Sequence, residues 1–362
     1  MAPVAAALRT FAPLVETRVA LTGQHTTLVD QVLTAFDLEP QYDLGIMKEG
    51  QSLYDVLHGA MDGLRRVVQE FRPNVLLVQG DTATVFSAAL VGFFENVRVG
   101  HVEAGLRSGD KRAPFPEEAL RHMTDVIADY HFAPTPRARE LLLQENTPYD
   151  RISVTGNTVV DALRRVSAMN RPTSNVTLRE VLAEETRLVL LTAHRRESFG
   201  EPLRELFGAV RALADEFEDV AIVYPVHPNP NVQGPAQEFL AGHPRIHLTP
   251  PLDYFDLVGA LKAADLVLTD SGGIQEEAPT FGTHVLVLRE VTERPEGIES
   301  GVAELVGTNR DKILERARAV LGGGRLALAE NPYGDGRAGE RIADIIVSDL
   351  MGQPRKTTDW NG

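Results

Sequence analysis

The side chains able to do chemistry sit just after short apolar runs. Val75–Val78 leads into Gln79-Gly80-Asp81-Thr82, and Val97–Val99 leads into Gly100-His101-Val102-Glu103-Ala104-Gly105-Leu106-Arg107. Leu188–Leu191 leads into Thr192-Ala193-His194-Arg195-Arg196-Glu197, Val220–Val223 into Tyr224-Pro225-Val226-His227, and Leu266–Leu268 into Thr269-Asp270-Ser271-Gly272-Gly273. Ligands of open α/β sheets bind beyond the carboxyl ends of the strands, so these segments together point to one site. Asp81, Glu103 and Glu117 make a carboxylate set, and His194 adds an imidazole. Groups of different proton affinity suit removal of a proton from carbon and departure of a leaving group.

A second chemistry is anion binding. Ser271-Gly272-Gly273 opens a helix carrying Gln275, Glu276 and Glu277. Two glycines at a helix start let the backbone approach a diphosphate, which the free N–H groups and the dipole favour. Glu277 stands where its carboxylate could accept from ribose hydroxyls. Arg195 and Arg294 are suited to bidentate phosphate contact. Each residue also has a plainer reading. Asp81 or Ser271 could be a helix cap, Glu117 an acid placed by the dipole, Glu277 a solvated charge, and Arg294 one half of a surface ion pair. The chain has no GxSxG or P-loop pattern and no cysteine, so it gives no support to a serine hydrolase or a P-loop nucleotidase, and neither NAD dependence nor a metal site is expected.

The elements that must position these residues alternate between strand and helix. Further apolar runs occur at Val19–Leu21, Ile152–Val154, Ile246–Leu248 and Val285–Leu288, without the alternation of a half-exposed strand. Leu53–Phe71 and Pro202–Phe217 carry apolar residues at spacings of three and four, as amphipathic helices do. The pattern predicts an α/β chain with two doubly wound domains. The polar stretch 167–186 separates them, giving an N-terminal domain over 1–166, a second over 167–340 and a helix with tail over 341–362 packing back on the first. The end of that tail, Gly352–Gly362, is expected to fray. A net charge of −15 argues against a nucleic-acid partner, and no apolar run reaches the length of a membrane span. The absence of cysteine fits a reducing, cytoplasmic setting, and Met1–Val15 is not expected to be a signal peptide.

Taken in order, the motifs resemble the non-hydrolysing UDP-N-acetylglucosamine 2-epimerases. They are Gly80-Asp81-Thr82, Gly100–Arg107, Pro116-Glu117-Glu118, Thr155-Gly156-Asn157-Thr158, His194–Glu197, Tyr224–His227, Asp270–Glu277, Thr292-Glu293-Arg294-Pro295-Glu296 and Asn331–Gly336, and they cover nearly the whole chain. The resemblance implies two Rossmann-like domains in the glycosyltransferase-B arrangement, a homodimer, and a UDP-sugar bound in the interdomain cleft with no cofactor. It also implies inversion at C2 by elimination of UDP to a 2-acetamidoglucal and re-addition. Carried onto this chain, it makes Asp81, Glu103, Glu117 and His194 the catalytic candidates, with the acid that takes the C2 proton left open. Arg121, Arg195, His227, Ser271, Gly272, Gly273, Glu277 and Arg294 become substrate ligands, with Leu252 and Leu257 at the uracil.

Two departures stand out. The family begins with a strand and a loop of the form GTRPEAIK, whereas this chain begins at Met1-Ala2-Pro3-Val4. The natural gene is therefore expected to encode a further strand and loop upstream, and the chain without them to be weakly active at best. At the regulatory UDP-N-acetylglucosamine site of some members, Gln24 and His25 match, whereas Thr27 and Gly59 do not. A UDP-sugar glycosyltransferase, a hydrolysing epimerase and a binding protein without turnover are the alternatives.

Overall fold

The computed structural model describes residues 1–23, 27–48, 50–324 and 331–362. Gln24 and His25 lie outside the described residues. The chain divides into two units, one comprising Met1–Ala162 with Tyr333–Gly362 and the other Leu163–Pro332. The divisions thus fall at 162/163 and 332/333, against 166/167 and 340/341 in the sequence reading. Each unit is a parallel α/β layer, Rossmann-like in kind.

In the first unit, β1 (Ala20–Leu21) pairs only with β2 (Tyr42–Asp43), and a separate sheet runs β3 (Val75–Gln79), β4 (Arg98–Val102), β5 (Tyr130–Ala133), β6 (Ile152–Val154), all parallel. The helix Leu53–Phe71 forms because Val56, Ala60, Leu64 and Val68 make one apolar stripe and Ser52 with Asp55 closes a reciprocal capping box. That stripe and the helix Ala83–Phe94 cover one face of the sheet over Val78 and Val99. Val4 and Leu8 of the helix Ala2–Arg9, with Ile342 and Ile346 of the helix Ala338–Met351, cover the other over Val102 and Phe132.

The tail corrects an expectation. Gly352–Gly362 is not frayed: Asp344 Oδ2 accepts from the backbone N–H of Lys356 (2.8 Å) and Thr357 (2.6 Å), and Asp359 Oδ2 accepts from Val154 N at 3.0 Å. Trp360 N donates to the Val154 carbonyl at 2.9 Å, and its ring is buried. Charged side chains satisfy the backbone of a segment that reads as polar and loose.

In the second unit one sheet runs β12 (Ala303–Leu305), β11 (His284–Val287), β10 (Leu266–Thr269), β7 (Arg187–Thr192), β8 (Val220–Pro225), β9 (Ile246–Thr249), again all parallel. Successive residues feed opposite cores. Leu191, Ile222 and Leu268 meet Leu203, Phe207 and Leu213 on one side, and Leu190, Val223 and Val267 meet Leu178, Leu261 and Ile274 on the other. Both faces are therefore dry, which is why these strands read as continuous apolar runs. Strand order reverses between β7 and β10, so this is the topological switch point, and the crevice beyond it is where such sheets bind ligands. The two strands are in register from Leu266 opposite Val189 to Thr269 opposite Thr192.

Candidate functional site

Each unit gathers part of the predicted set. In the first, β3 ends at Gln79 and the chain turns at Gly80 (φ +84°), presenting Asp81. Asp81 is ion-paired with Arg121, whose Nη1 also lies 3.1 Å from Glu118 Oε2. Arg121, expected to hold substrate, is in this structure a partner of two acids. β4 ends at Val102, and Glu103 follows with φ +70°. A non-glycine residue held there costs of order 1–3 kcal/mol and points to a functional constraint. The constraint is visible: Glu103 N donates to the Phe132 carbonyl at 3.0 Å, and Glu103 Oε2 receives Gln79 Nε2 at 3.5 Å. A methyl group added to Gly80 would stand 3.7 Å from Glu103 Oε2, so the Asp81 and Glu103 loops are neighbours.

Glu117 begins the helix Glu117–Ile127, and its carboxylate has no partner among the described residues. It lies one turn before Arg121 on the same helix face. Its neighbour Glu118 is wholly buried and accepts from Ser108 N (2.9 Å) and Gly109 N (3.3 Å), tying the preceding loop to the helix.

In the second unit, the predicted groups cluster beyond β7 and β10. Asp270, buried, takes the backbone N–H of His194 (2.6 Å) and Arg195 (2.8 Å) on Oδ2. Its Oδ1 lies 3.3 Å from His194 Nδ1. The His194 ring stacks on His227 with centroids 5.3 Å apart and planes 11° from parallel. Asp270 is thus more than a cap, a role the sequence reading did not assign.

Ser271 precedes the short helix Gly272–Glu277 without capping it through its side chain. Space is tight at Gly272: a Cβ there would stand 3.0 Å from the Arg294 guanidinium, which would have to shift. Arg294 is not a surface ion pair. It is largely buried, with Nε 2.8 Å from Glu276 Oε1. Arg289, also missed, bonds Glu197 (3.0 Å) and Glu293 (2.9 Å), joining the loop after His194 to the loop before Arg294. Its place directly after the apolar run Val285–Leu288 was the available signal.

Glu277 is the most telling group. Its Oε2 is shielded from solvent and has no hydrogen-bond partner among the described residues. Burial, reinforced by neighbouring Glu276, pushes its carboxyl up to about 7. Tyr254 faces it, and burial together with the Glu277 charge raises the phenol above its ordinary range. The Arg195 guanidinium and Ser271 Oγ likewise make no hydrogen bond among the described residues. Leu252 and Leu257 are partly buried against the core below. Among the described residues no group of three or more His, Asp or Glu could hold a metal ion, and no helix is long and apolar enough to cross a membrane.

Comparisons with known proteins agree with the motifs. A family model described as UDP-N-acetylglucosamine 2-epimerase matches residues 9–347. The chain is 45% identical over 351 residues to the UDP-N-acetylglucosamine 2-epimerase of Bacillus subtilis (strain 168), covering 96% of this chain and 91% of that one. It is also similar to the S. aureus MnaA–UDP structure, at TM-score 0.88 and 43% identity over 100% of this chain and 96% of that one. The UDP-GlcNAc 2-epimerase of Neisseria meningitidis, solved with UDP-GlcNAc bound, matches at TM-score 0.85 and 38% identity, covering 98% and 96%.

Proposed function

The chain belongs to the UDP-N-acetylglucosamine 2-epimerase family, and we propose that it interconverts UDP-N-acetylglucosamine and UDP-N-acetylmannosamine without net hydrolysis. The observation that carries the nucleotide half of this reading is Glu277: a shielded, unpartnered carboxylate oxygen beside a glycine-opened helix start and arginine side chains. Left empty, such a group is costly. Two ribose hydroxyls donating to it would satisfy it, with the diphosphate on Ser271, Gly272, Gly273, Arg195 and Arg294 and the uracil against Leu252 and Leu257.

The chemistry proceeds by elimination and re-addition. One of Asp81, Glu103 and Glu117 removes the C2 proton, the C1–O bond to UDP breaks, and a C1=C2 double bond forms. The oxygen of departing UDP takes up the negative charge, which His194 with His227 and the arginines stabilise. Re-addition returns the UDP oxygen to C1 and delivers a proton to C2 from the opposite face. Inversion therefore needs more than one acid–base group, which the carboxylate set supplies. The positively strained Glu103 turn and the Asp81–Arg121 pair support fixed placement of these acids.

Self-association into a homodimer is supported by exposed Phe93, Phe94, Met123 and Val126 on the adjoining helices Ala83–Phe94 and Glu117–Ile127. The nucleotide-sugar substrate argues for a cytoplasmic setting. Incubation with UDP-N-acetylglucosamine in D2O, followed by NMR, tests the reading. The expected result is UDP-N-acetylmannosamine with deuterium at C2 of both sugars. Free N-acetylmannosamine with UDP, or no exchange at all, would contradict it.

A further inference from the structure

Both acid-bearing loops of the first unit hang from one buried carboxylate. Asp125 lies on the inner side of the helix Glu117–Ile127 and is buried. Its Oδ1 is 2.6 Å from His101 Nδ1, and its Oδ2 accepts from Arg107 Nη2 at 2.7 Å and from Gly105 N at 3.3 Å. His101, on β4, is fully buried, and its Nε2 is 2.8 Å from the carbonyl of Gly80. So His101 grips the residue before Asp81, and Asp125 grips the turn two residues after Glu103.

The protonation state follows from the partners. A carbonyl oxygen can only accept, so Nε2 carries a proton. Asp125 already receives a guanidinium and a backbone N–H on its other oxygen, so it stands as a carboxylate and Nδ1 also donates. Only the imidazolium donates from both nitrogens. The titratable or charged groups facing His101 and Asp125 are Arg107, Glu103 and His131. Burial alone would push the His101 ring down, but the charge and hydrogen bond of Asp125 and the Gly80 carbonyl outweigh it and leave the ring above its ordinary range. For Asp125, burial pulls upward, yet His101 and Arg107 hold it down at about 2. Arg107 also bonds Glu145 at 2.6 Å, which balances the buried charges.

We propose that His101 and Asp125 form a permanently charged clamp that positions Asp81 and Glu103 for the proton transfers, with His101 an imidazolium that exchanges no proton with substrate. The clamp acts where the backbone most needs holding: Gly80, Glu103 and Gly105 have φ of +84°, +70° and +85°. Charge-assisted bonds at both ends fix those turns more firmly than neutral ones would. This rests on reading Asp81 and Glu103 as acid–base residues, and the test separates the two claims.

Nitrogen-15 NMR of the full chain at pH 8 reads the His101 ring directly. Protons on both ring nitrogens are expected, and a neutral tautomer overturns the proposal. Steady-state kinetics on UDP-N-acetylglucosamine then compare wild type with Asp125→Asn, and with His101→Gln should the first variant not fold. The expected result is kcat lower by roughly tenfold to a hundredfold, as sub-ångström misplacement of reacting groups produces, with KM within about threefold and UDP binding intact. A folded Asp125→Asn or His101→Gln enzyme with wild-type kcat, or a loss confined to KM, overturns the clamp. Full activity in Asp81→Asn and Glu103→Gln would instead overturn the acid–base assignment on which it rests.

Discussion

The two units differ in how they treat the polar groups of the proposed site. In the first, most acids are already paired inside the protein: Asp81 with Arg121, Asp125 with His101 and Arg107, Glu118 with backbone N–H groups. Glu117 is the exception. In the second, Arg294 is paired with Glu276 and His194 lies beside Asp270, but other groups are left open: among the described residues Glu277 Oε2 has no hydrogen-bond partner, and neither the Arg195 guanidinium nor Ser271 Oγ makes a hydrogen bond. Pairing fixes a side chain and tunes its proton affinity. An open, shielded group instead reserves a place for a ligand. The contrast argues for a division of labour in which the first unit supplies placed acids and bases and the second supplies affinity for the nucleotide.

Removing an acid should give the largest effect. Asp81→Asn, Glu103→Gln or Glu117→Gln is expected to cut turnover by roughly 10²–10⁴-fold, while UDP affinity stays within a few-fold. Steady-state kinetics beside a binding titration would show it, and a Glu117 variant with full turnover would remove that residue from the acid–base set. Next comes Gly272→Val. The branched side chain must displace the Arg294 guanidinium, which a Cβ alone would meet at 3.0 Å, so UDP affinity should fall by about tenfold to a hundredfold with the fold retained by circular dichroism.

A third outcome concerns acid stability. The Asp125 carboxyl is held at about 2, below its ordinary 3.8. A depressed carboxylate contributes stability above its unfolded value and loses it as pH falls through the folded one. About 2 kcal/mol should therefore disappear between roughly pH 4 and pH 2, and Asp125→Asn should flatten that part of the denaturation profile. An unchanged slope would mean that the Asp125 carboxylate does not contribute to acid stability.

The smallest effect is on binding. Glu277 sits at about 7 without ligand, raised from 4.5. In the free protein its ionised form is disfavoured, so its contribution to stability is full below the unfolded value and fades as pH rises through 7. Ribose hydroxyls donate to the ionised form. UDP affinity should therefore strengthen as pH rises toward 7, by up to about tenfold per unit below it, and level off above. Calorimetry between pH 5.5 and 8.5 reads this, and a flat profile in wild type would detach Glu277 from the ribose.

Legibility followed burial. The helix Leu53–Phe71 was readable because its apolar stripe is local. The central strands were readable because both faces are dry. β5 was not, since Tyr130 and His131 interrupt its apolar run; inside, His131 Nε2 meets the Asp125 carbonyl at 2.8 Å. The motif residues of the site were visible at the strand ends. Their supporting contacts were not: Asp125 on His101, Asp270 on His194 and Arg289 on Glu197 link residues far apart in sequence, so no spacing rule reveals them. The tail was misread for the same reason, because its order comes from Asp344 and Asp359 meeting backbone groups that only the fold brings near.

The division of labour is tested most directly by one calorimetric titration series with UDP, on wild type, Glu103→Gln and Glu277→Gln at pH 8. The account predicts that Glu103→Gln binds within about threefold of wild type and that Glu277→Gln binds about tenfold or more weakly, the loss expected when a charge-assisted hydrogen-bond acceptor is removed. Weakened binding in Glu103→Gln with unaltered binding in Glu277→Gln would contradict it.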